Sequence, residues 1–444
     1  MEYSKRLSNV SVLGAAGKMG SGILLLMSQE LFDLSKIPEN DGMEFRLNAI
    51  DISAEGLQSI LKYIEKQTRK SVERKPENIR KYFSSSNLTD EEMKEEYVKA
   101  VLALIHPSTD LMDASDSTLV FEAASEDKDL KVKLLADIDK NSSVSPWFFT
   151  NTSSIPINYI DEKAHLNGRA LGFHFYNPPA IQKLVELIRT ENTETALIET
   201  AYQLAKRLRK IIVPSNDVAG FIGNGHFMRD ALYAISEVER LSGDMGYVQA
   251  LYAINTISQK FLIRPMGIFQ LCDYVGLDVV QFILNVMNPY VPEEDLHSNL
   301  LDKMVDMGVK GGQNPDGSQK DGFLKYEMGK VTGVFDVNEK EYIDVQLIKT
   351  ELSGFLGSMP ESYMPWKEII RDPEKEMLLG TIFSELKEID TAGAELTVKY
   401  GLRSKEIGLN LVKNGVCNNE DDVNKVLLTG FYHAYGPINN YFDK

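Results

Sequence analysis

One histidine and one glutamate stand out because each lies in a short apolar segment of β-strand length. His174 is the titratable residue of segment 170–175, and Glu186 interrupts segment 183–188. Alternate side chains of a strand share a face, so Glu186 lies among aliphatic neighbours, where a carboxylate needs a partner. His174 is the obvious partner, and an imidazole backed by a carboxylate suits removal of a proton near neutral pH. The alternative is a histidine satisfied within a core and a glutamate at a strand edge.

A glycine-rich turn follows the first strand pattern of the chain. Residues 9–13 form the strand, residues 14–20 read Gly-Ala-Ala-Gly-Lys-Met-Gly, and a helical pattern continues from Ile23. Small residues let the backbone approach a phosphate and a helix N-terminus faces an anion, so this order predicts a dinucleotide cradle. The spacing is GxxGxxG, and a turn without a ligand is the alternative for a lone motif of this kind. The residues assigned to the cradle are Gly14, Ala16, Gly17, Lys18, Met19 and Gly20.

Two further strand ends supply residues for the same ligand. Segment 45–50 ends at Asp51, whose carboxylate can accept hydrogen bonds from a ribose diol and would repel a 2′-phosphate, which favours NAD over NADP. A loop at 36–43 accounts for the long gap between the glycine turn and Asp51. Segment 117–121 is followed by small residues, including Ala123, that leave room for the nicotinamide ribose.

Length and composition bound the remaining possibilities. The chain has 444 residues, 43% of them hydrophobic, which predicts roughly two to four globular domains. A formal charge of −17 argues against general nucleic-acid binding, and no apolar run approaches the ~20 residues of a membrane span. The two cysteines are far apart and show no metal-ligand pattern, which fits a reducing compartment. The first strand pattern begins by residue 10, which leaves no room for a targeting peptide, so a cytoplasmic protein is expected.

The patterns along the chain predict an α/β N-terminal dinucleotide-binding (Rossmann-type) domain followed by all-α C-terminal domains. The first domain covers residues 1–214 and includes a helical-hairpin insertion at 56–105. A helical substrate or dimerisation domain follows at 215–330, and it contains a polar linker at 311–321. Residues 331–444 are predicted to form a second helical domain.

The second helical domain resembles a diverged repeat of the first. Segments 251–273 and 426–443 both run from a helix into an ending rich in aromatic residues and glycine, and both close on an aspartate. Two unrelated helix–turn segments with similar endings are the alternative. A duplication would let the second copy occupy the place of a partner subunit, because a two-fold interface needs one self-complementary patch. A monomer is then expected, with a homodimer as the alternative.

A basic cluster lies within residues 62–81, a segment that contains eight basic and three acidic residues. A solvated helix face is the ordinary explanation for such a run. The sharper hypothesis is a binding site for an anionic ligand tail, such as the phosphates of coenzyme A, with Lys70 and Arg74 as contacts. The basic residues of the cluster are Lys62, Lys66, Arg69, Lys70, Arg74, Lys75, Arg80 and Lys81.

Taken in order, these motifs resemble those of the L-3-hydroxyacyl-CoA dehydrogenase family. The resemblance covers roughly residues 7 to 330. Beyond the glycine turn and Asp51, it rests on Asn151-Thr152-Ser153-Ser154, His174-Phe175-Tyr176-Asn177-Pro178, Lys183-Leu184-Val185-Glu186 and Gly220-Phe221-Ile222-Gly223-Asn224. Relative to the family, two residues are inserted between Glu126 and Lys133.

The resemblance implies a reaction and a role for each site residue. It implies an NAD-dependent oxidoreductase that interconverts (S)-3-hydroxyacyl-CoA and 3-oxoacyl-CoA in fatty acid β-oxidation. His174 would be the general base and Glu186 its orienting partner. Ser153 and Asn224 would contact the reacting oxygen of the acyl-CoA substrate. The residues implied to line the NAD site are Asp51, Glu126, Lys133, Asn151 and Asn177.

Two other functions remain open from the sequence. A dehydrogenase of a small β-hydroxyacid or sugar acid would use the same architecture without coenzyme A contacts. A non-catalytic NAD-binding structural protein would keep the fold, but it would need none of the polar residues His174, Glu186, Ser153 and Asn224.

Overall fold

The chain divides after Asp217 into two units, each with its own hydrophobic core. The computed structural model describes residues 2–74, 76–83, 87–314 and 317–443. The first unit ends close to the border predicted at 214. The border predicted at 330 does not separate two units, because one core cluster extends from Ala219 to Phe442.

The first unit is built on an eight-stranded sheet with the order β3-β2-β1-β4-β5-β6-β7-β8. All neighbouring strands are parallel except β6 and β7, which run antiparallel. The chain reverses its direction of growth between β1 and β4, and such a switch point opens a crevice at the carboxyl ends of the strands. The strands are β1 (Asn9–Leu13), β2 (Arg46–Ile50), β3 (Ile105–Ser108), β4 (Leu119–Glu122), β5 (Trp147–Thr150), β6 (Ala170–Phe175), β7 (Leu184–Arg189) and β8 (Ile211–Asn216).

Helices follow most of these strands, as parallel strands require crossover connections. The helices are α1 (Glu2–Arg6), α2 (Lys18–Ser35), α3 (Ala54–Arg74), α4 (Glu77–Arg80), α5 (Asp90–Ala103), α6 (Lys128–Asn141), α7 (Ile157–Lys163) and α8 (Thr195–Arg207), with 3₁₀ turns at Pro38–Asn40 and Leu111–Ala114. The predicted helical insertion corresponds to α3, α4 and α5. Helix α5 begins with a capping box, in which the Thr89 side chain and the Glu92 side chain satisfy each other's backbone N–H groups.

A row of phenylalanines gives the sheet a rigid centre. Phe149 stacks on Phe173 with ring centroids 5.2 Å apart, and Phe121 meets Phe149 edge-on at 5.2 Å. Such aromatic pairs contribute about 0.5–1.5 kcal/mol each beyond the burial of their area. Phe173 and Phe175 belong to one core cluster, so the alternation of side chains along β6 directs His174 to the opposite face.

The second unit is mainly helical. Its helices are α9 (Gly223–Met245), α10 (Tyr247–Thr256), α11 (Ile268–Val275), α12 (Leu277–Met287), α13 (Asn299–Asp306), α14 (Val345–Leu356), α15 (Trp366–Ile369), α16 (Lys375–Lys387), α17 (Ala392–Lys413) and α18 (Glu420–Gly430), with a π-helical turn at Ile257–Phe261 and a 3₁₀ turn at Asn288–Tyr290. In the part of the chain that the structure describes, no single helix is long and apolar enough to span a membrane. Two consecutive helical segments, Ile268–Val275 and Leu277–Tyr290, are together long and apolar enough to span a membrane, but the chain bends by 91° between them.

A small antiparallel sheet in the second unit departs from the all-α prediction. Its order is β11-β10-β9, with β9 (Leu324–Glu327), β10 (Lys330–Asp336) and β11 (Glu341–Asp344). The buried Asp273 carboxylate fixes the approach to β9, since it accepts hydrogen bonds from the N–H groups of Phe323 and Leu324 at 2.7 and 3.0 Å. The predicted linker at 311–321 is therefore tied to α11, because Gly312 N–H also donates to the Asp273 carbonyl.

The last helices of the chain pack onto the first helix of the second unit. Arg264 pairs with Asp230 of α9 at 2.7 Å and reaches the Ser404 hydroxyl of α17 at 3.2 Å. His226 of α9 contacts the Ser404 carbonyl at 3.2 Å. The predicted duplication is not confirmed. The described chain after α18 contains no helix, whereas segment 251–273 runs from α10 into α11.

Candidate active site

His174 and Glu186 face each other across the antiparallel pair of strands β6 and β7. The two residues are directly opposite in the register, which places their side chains on the same face. His174 Nδ1 lies 3.4 Å from Glu186 Oε1, and the Glu186 side chain is fully buried. The Tyr176 hydroxyl donates a hydrogen bond to the same carboxylate oxygen at 2.6 Å. The structure thus brings together the histidine and the glutamate that the strand patterns single out.

The surroundings of Glu186 favour an oriented imidazole. Burial and the neighbouring Glu186 carboxylate raise the pKa of the Tyr176 phenol well above its ordinary value, so the phenol remains a donor. Nδ1 is the ring nitrogen 3.4 Å from the carboxylate, so Nε2 lies on the other side of the ring. A carboxylate behind an imidazole fixes its tautomer and stabilises the imidazolium that forms when the ring takes a proton. The sequence patterns did not predict the role of Tyr176, because its contact with Glu186 depends on the pairing of β6 with β7.

The turn after β5 is held by a single carboxylate. Glu126 Oε1 accepts hydrogen bonds from the Thr152 hydroxyl at 2.5 Å and from the N–H groups of Ser153 and Ser154 at 2.9 and 3.2 Å. Asn151 connects this turn to β6, because its Oδ1 accepts the Phe175 N–H at 2.9 Å. Glu126, Asn151 and Ser153 therefore lie in one hydrogen-bonded group beside the strand that bears His174.

A buried lysine joins this turn to the end of β4. Lys131 Nζ lies 2.7 and 2.9 Å from the two carboxylate oxygens of Glu122 and 3.2 Å from Glu126 Oε2. Burial acts to lower the pKa of Lys131, but the two carboxylates outweigh it and raise the pKa overall. Burial likewise acts to raise the pKa of Glu126, and Lys131 with the hydrogen bonds from Thr152 and Ser153 lowers it overall. The charged forms of Lys131 and Glu126 therefore stabilise each other.

The predicted NAD-site residue Lys133 is not part of this group. Its ammonium pairs with Asp137 at 2.7 Å on the exposed surface of α6, where 71% of the side chain is accessible. Residues two apart on a helix point in nearly opposite directions, so only one of Lys131 and Lys133 can face the sheet. The structure places Lys131 there.

The glycine turn has the geometry of a phosphate cradle. Gly14 has φ +71°, and a Cβ on it would lie 2.5 Å from the Ala123 carbonyl oxygen, so the turn approaches the end of β4 closely. A Cβ on Gly20 would lie 2.0 Å from the Gly14 carbonyl oxygen, which lets α2 begin against the turn. Gly17 is the N-cap of this 18-residue helix, and no side chain caps it. The residues fit a dinucleotide, since a helix N-terminus with bare backbone N–H groups binds phosphate.

The remaining residues of the predicted cradle lie around that turn. Lys18 and Met19 are in the first turn of α2, and burial lowers the pKa of Lys18. Asp51 follows β2, where its Oδ2 accepts the Ala16 N–H at 3.0 Å and its Oδ1 accepts the Ser53 N–H at 3.0 Å. The predicted ribose carboxylate and the glycine turn are therefore joined directly. Asn177 lies three residues after His174, in the loop between β6 and β7.

Lys70 and Arg74 line a surface groove in the first unit. The groove has a volume of about 460 Å³ and is also lined by Gln67, Asn78 and Arg209. Other basic residues of the cluster are engaged elsewhere, as Arg69 pairs with Glu65 and Glu95, and Arg80 pairs with Asp90. Lys75 lies outside the described residues. Arg69 and Arg80 therefore form structural ion pairs, whereas Lys70 and Arg74 line the groove.

Asn224 lies in the second unit, in the first turn of α9, which begins at Gly223. Across the described ranges, no three His, Cys, Asp or Glu side chains are arranged to hold a metal ion.

Two family models match this chain. Residues 9–218 match the 3-hydroxyacyl-CoA dehydrogenase NAD-binding domain, and residues 247–321 match the 3-hydroxyacyl-CoA dehydrogenase C-terminal domain. A hydroxyacyl-coenzyme A dehydrogenase of human mitochondria is 33% identical over 267 residues, which are 59% of this chain and 80% of that protein. A probable 3-hydroxybutyryl-CoA dehydrogenase of Deinococcus radiodurans is 31% identical over 70% of this chain and 98% of its own length. The chain belongs to the 3-hydroxyacyl-CoA dehydrogenase family.

Membership of the 3-hydroxyacyl-CoA dehydrogenase family makes the chain an NAD-dependent oxidoreductase, and the glycine turn lies in its NAD-binding domain. The likeness in fold extends further along the chain than the family models. The crystal structure of a 3-hydroxybutyryl-CoA dehydrogenase from Escherichia coli K12 covers 97% of this chain and 90% of its own, with a TM-score of 0.66 at 20% identity. The fold of residues beyond 321 is thus shared with a solved structure.

Proposed function

We propose that this enzyme interconverts (S)-3-hydroxyacyl-CoA and 3-oxoacyl-CoA, with His174 as the general base and Glu186 as its orienting partner. The observation that carries this proposal is the cross-strand pair, in which His174 Nδ1 lies 3.4 Å from the buried Glu186 carboxylate. A pair of this kind has no role in a non-catalytic NAD-binding scaffold. It matches what the oxidation of a secondary alcohol requires from the protein.

The proposed chemistry assigns the proton to His174. In the oxidative direction, Nε2 takes the hydroxyl proton of the substrate as the carbon–hydrogen bond breaks. Bound NAD would supply the acceptor for the hydride. Glu186 stabilises the imidazolium and orients the ring, and the Tyr176 hydroxyl donates to the same carboxylate oxygen and helps to hold it in place. In the reductive direction the same imidazolium returns the proton to the forming alcohol oxygen.

Ser153 and Asn224 are proposed to hydrogen-bond the oxygen as it changes between alcohol and carbonyl. Hydrogen bonds from Ser153 and Ser154 to Glu126 fix the backbone around Ser153, so its hydroxyl is carried on a rigid turn. Asp51, Asn151 and Asn177 are proposed to contact NAD, together with the glycine turn and Ala123. Glu126 acts by holding the turn that contains Asn151.

A coenzyme A thioester is the proposed substrate class, in preference to a small free hydroxyacid. The similar proteins from human mitochondria and Deinococcus radiodurans are both named for coenzyme A thioesters. The groove that contains Lys70 and Arg74 offers cations to a phosphorylated ligand tail, which a free hydroxyacid would not need. Fatty acid β-oxidation is the proposed metabolic setting, because it runs through this pair of thioesters.

The proposal is tested by following NADH absorbance with acetoacetyl-CoA. The wild-type enzyme should oxidise NADH, and His174→Gln should lower kcat by about 10²–10⁴-fold, which is the usual cost of losing a general base. NAD binding, measured by quenching of protein fluorescence, should be unchanged, because the cradle is intact. His106→Gln is the matched control, since His106 is an exposed histidine on β3 of the same unit. A His174→Gln enzyme with more than about a hundredth of the wild-type kcat would contradict the assignment.

A further inference from the structure

Arg209 occupies a backbone position where an arginine side chain is not expected. It follows the C-terminus of α8 and has φ +56°, in the left-handed region that glycine or asparagine normally occupies after a helix. Its N–H donates to the Lys206 carbonyl at 3.1 Å, which completes the turn without using the side chain. Helix termination alone therefore gives no reason for an arginine at this position.

The exposed Arg209 side chain lines the same groove as Lys70 and Arg74. Arg209 also lines the adjoining cavity of about 450 Å³, so it lies where the two spaces meet. Across residues 2–74, 76–83, 87–314 and 317–443, none of these three cations forms an ion pair or a side-chain hydrogen bond. By contrast, the neighbouring Arg207 pairs with the buried Glu30, and Lys94 on α5 pairs with Glu73 and Glu91.

The groove also borders the loop that follows the strand of His174. Ala180 and Ile181 line it, and 71% of Ile181 is exposed. Lys210, next to Arg209, donates hydrogen bonds to the carbonyl groups of Pro179 and Gln182, which fixes Arg209 relative to this loop. An exposed aliphatic side chain and three cations without an ion pair among the described residues therefore share one groove, which borders the loop between β6 and β7. A groove that combines an exposed aliphatic side chain with three cations suits a ligand with an apolar arm and a phosphorylated end.

We propose that Arg209 is a specificity-determining residue that binds the phosphates of the coenzyme A nucleotide, together with Lys70 and Arg74. The proposal rests on the acyl-CoA dehydrogenase function proposed above. A guanidinium binds phosphate oxygens through two parallel N–H donors, which a lysine cannot do. Arg209 thus selects thioesters that have a nucleotide over thioesters that lack one.

The test compares two substrates with the Arg209→Gly enzyme. Glycine suits a positive φ, so the variant removes the side chain and relieves the backbone at once. The KM for acetoacetyl-CoA should rise about tenfold with kcat nearly unchanged, as expected for the loss of a charge-assisted contact made equally in the ground and transition states. With acetoacetyl-N-acetylcysteamine, which has no phosphate, kcat/KM of wild type and variant should agree within about twofold. The wild-type KM for acetoacetyl-CoA should also depend more steeply on salt than the variant's.

Lys340→Gly is the matched control. Lys340 is an exposed cation at φ +58° in the second unit, so its replacement makes the same chemical and backbone change away from the groove. Lys340→Gly should leave KM and kcat unchanged with both substrates. An unchanged KM for acetoacetyl-CoA in Arg209→Gly would overturn the role of Arg209, and so would an equal loss with both substrates. A wild-type enzyme inactive with acetoacetyl-CoA would instead overturn the proposed function, which separates the two failures.

Discussion

Glu126 in the first unit and Asp273 in the second are both carboxylates that hold a neighbouring turn, but their surroundings differ. Glu126 has Lys131 at 3.2 Å and hydrogen bonds from Thr152 and Ser153, and the balance lowers its pKa. Asp273 is fully buried, and every hydrogen-bond donor to its carboxylate among the described residues is neutral. Its described donors are the N–H groups of Phe323 and Leu324 and the Tyr326 hydroxyl at 2.8 Å. Burial raises the pKa of Asp273 to about 8.

The opposite pKa shifts of Glu126 and Asp273 indicate different roles for the two carboxylates. A carboxylate paired with a cation stays ionised and can hold polar groups at the edge of a sheet, where a ligand approaches. A buried carboxylate without a cation favours its protonated form and serves as an internal tie. The charged group of Glu122, Lys131 and Glu126 therefore supports the turn that contains the proposed site residues Asn151 and Ser153. Asp273 has a structural role, because it connects α11 to the start of β9 in the second unit.

Removing the cation from the first unit should have the largest effect on this comparison. Lys131→Met would leave Glu122 and Glu126 facing each other in a buried site, so the first unit should lose about 3–5 kcal/mol of unfolding free energy. The chain has two tryptophans, Trp147 in the first unit and Trp366 in the second. Urea unfolding followed by fluorescence in a Trp366→Phe background would report the first unit alone.

Lys133→Met is the control for that experiment. Lys133 is exposed and pairs with Asp137 one helical turn away, so its loss should cost no more than about 0.5 kcal/mol. If Lys133→Met proved as damaging as Lys131→Met, or if it alone weakened NAD binding, the distinction between the two lysines would be wrong.

Asp273→Asn should change the pH dependence of the second unit more than its stability. The native pKa of about 8 lies above the unfolded value of 3.8, so the native state retains a proton that the unfolded state has lost between those values. This contribution to stability is complete below about pH 4 and is lost as the pH rises towards 8. The wild type should therefore lose stability relative to Asp273→Asn between pH 5 and pH 8. At pH 5 the two should differ by less than about 1.5 kcal/mol, the range of a single hydrogen bond.

Urea unfolding in a Trp147→Phe background measures this, because Trp366 then reports the second unit. Parallel stability curves for the wild type and Asp273→Asn across this pH range would show that Asp273 is ionised in the native state. The contrast between the two carboxylates would then fail.

Much of the first unit follows from local patterns. Strands β1 and β6 have the predicted bounds, and the face on which Glu186 lies follows from alternation alone. Alternation also explains why His174 and Glu186 meet, once two apolar segments of that length are paired. Strand β3 escaped prediction because Ile105–Ser108 is short, includes a proline and lies at the edge of the sheet.

Other features depend on tertiary geometry that local patterns do not contain. Which of Lys131 and Lys133 faces the sheet depends on the rotational phase of α6, a helix that begins at the N-cap Asp127. Strands β9 to β11 are only four to seven residues long, and the approach to β9 is held by the distant Asp273 side chain. Arg209 belongs to no motif, and only its positive φ and its place in the groove distinguish it.

The central claim is that His174 and Glu186 act as one catalytic unit, and a double-mutant comparison tests it most directly. We would measure kcat with acetoacetyl-CoA and NADH for His174→Gln, Glu186→Gln and the double variant. Glu186→Gln alone should lose nearly as much as His174→Gln, because the ring is misoriented. The double variant should then be no slower than His174→Gln, since groups that act as a unit are not additive. Losses that multiply in the double variant, or a Glu186→Gln enzyme with wild-type kcat, would contradict the account.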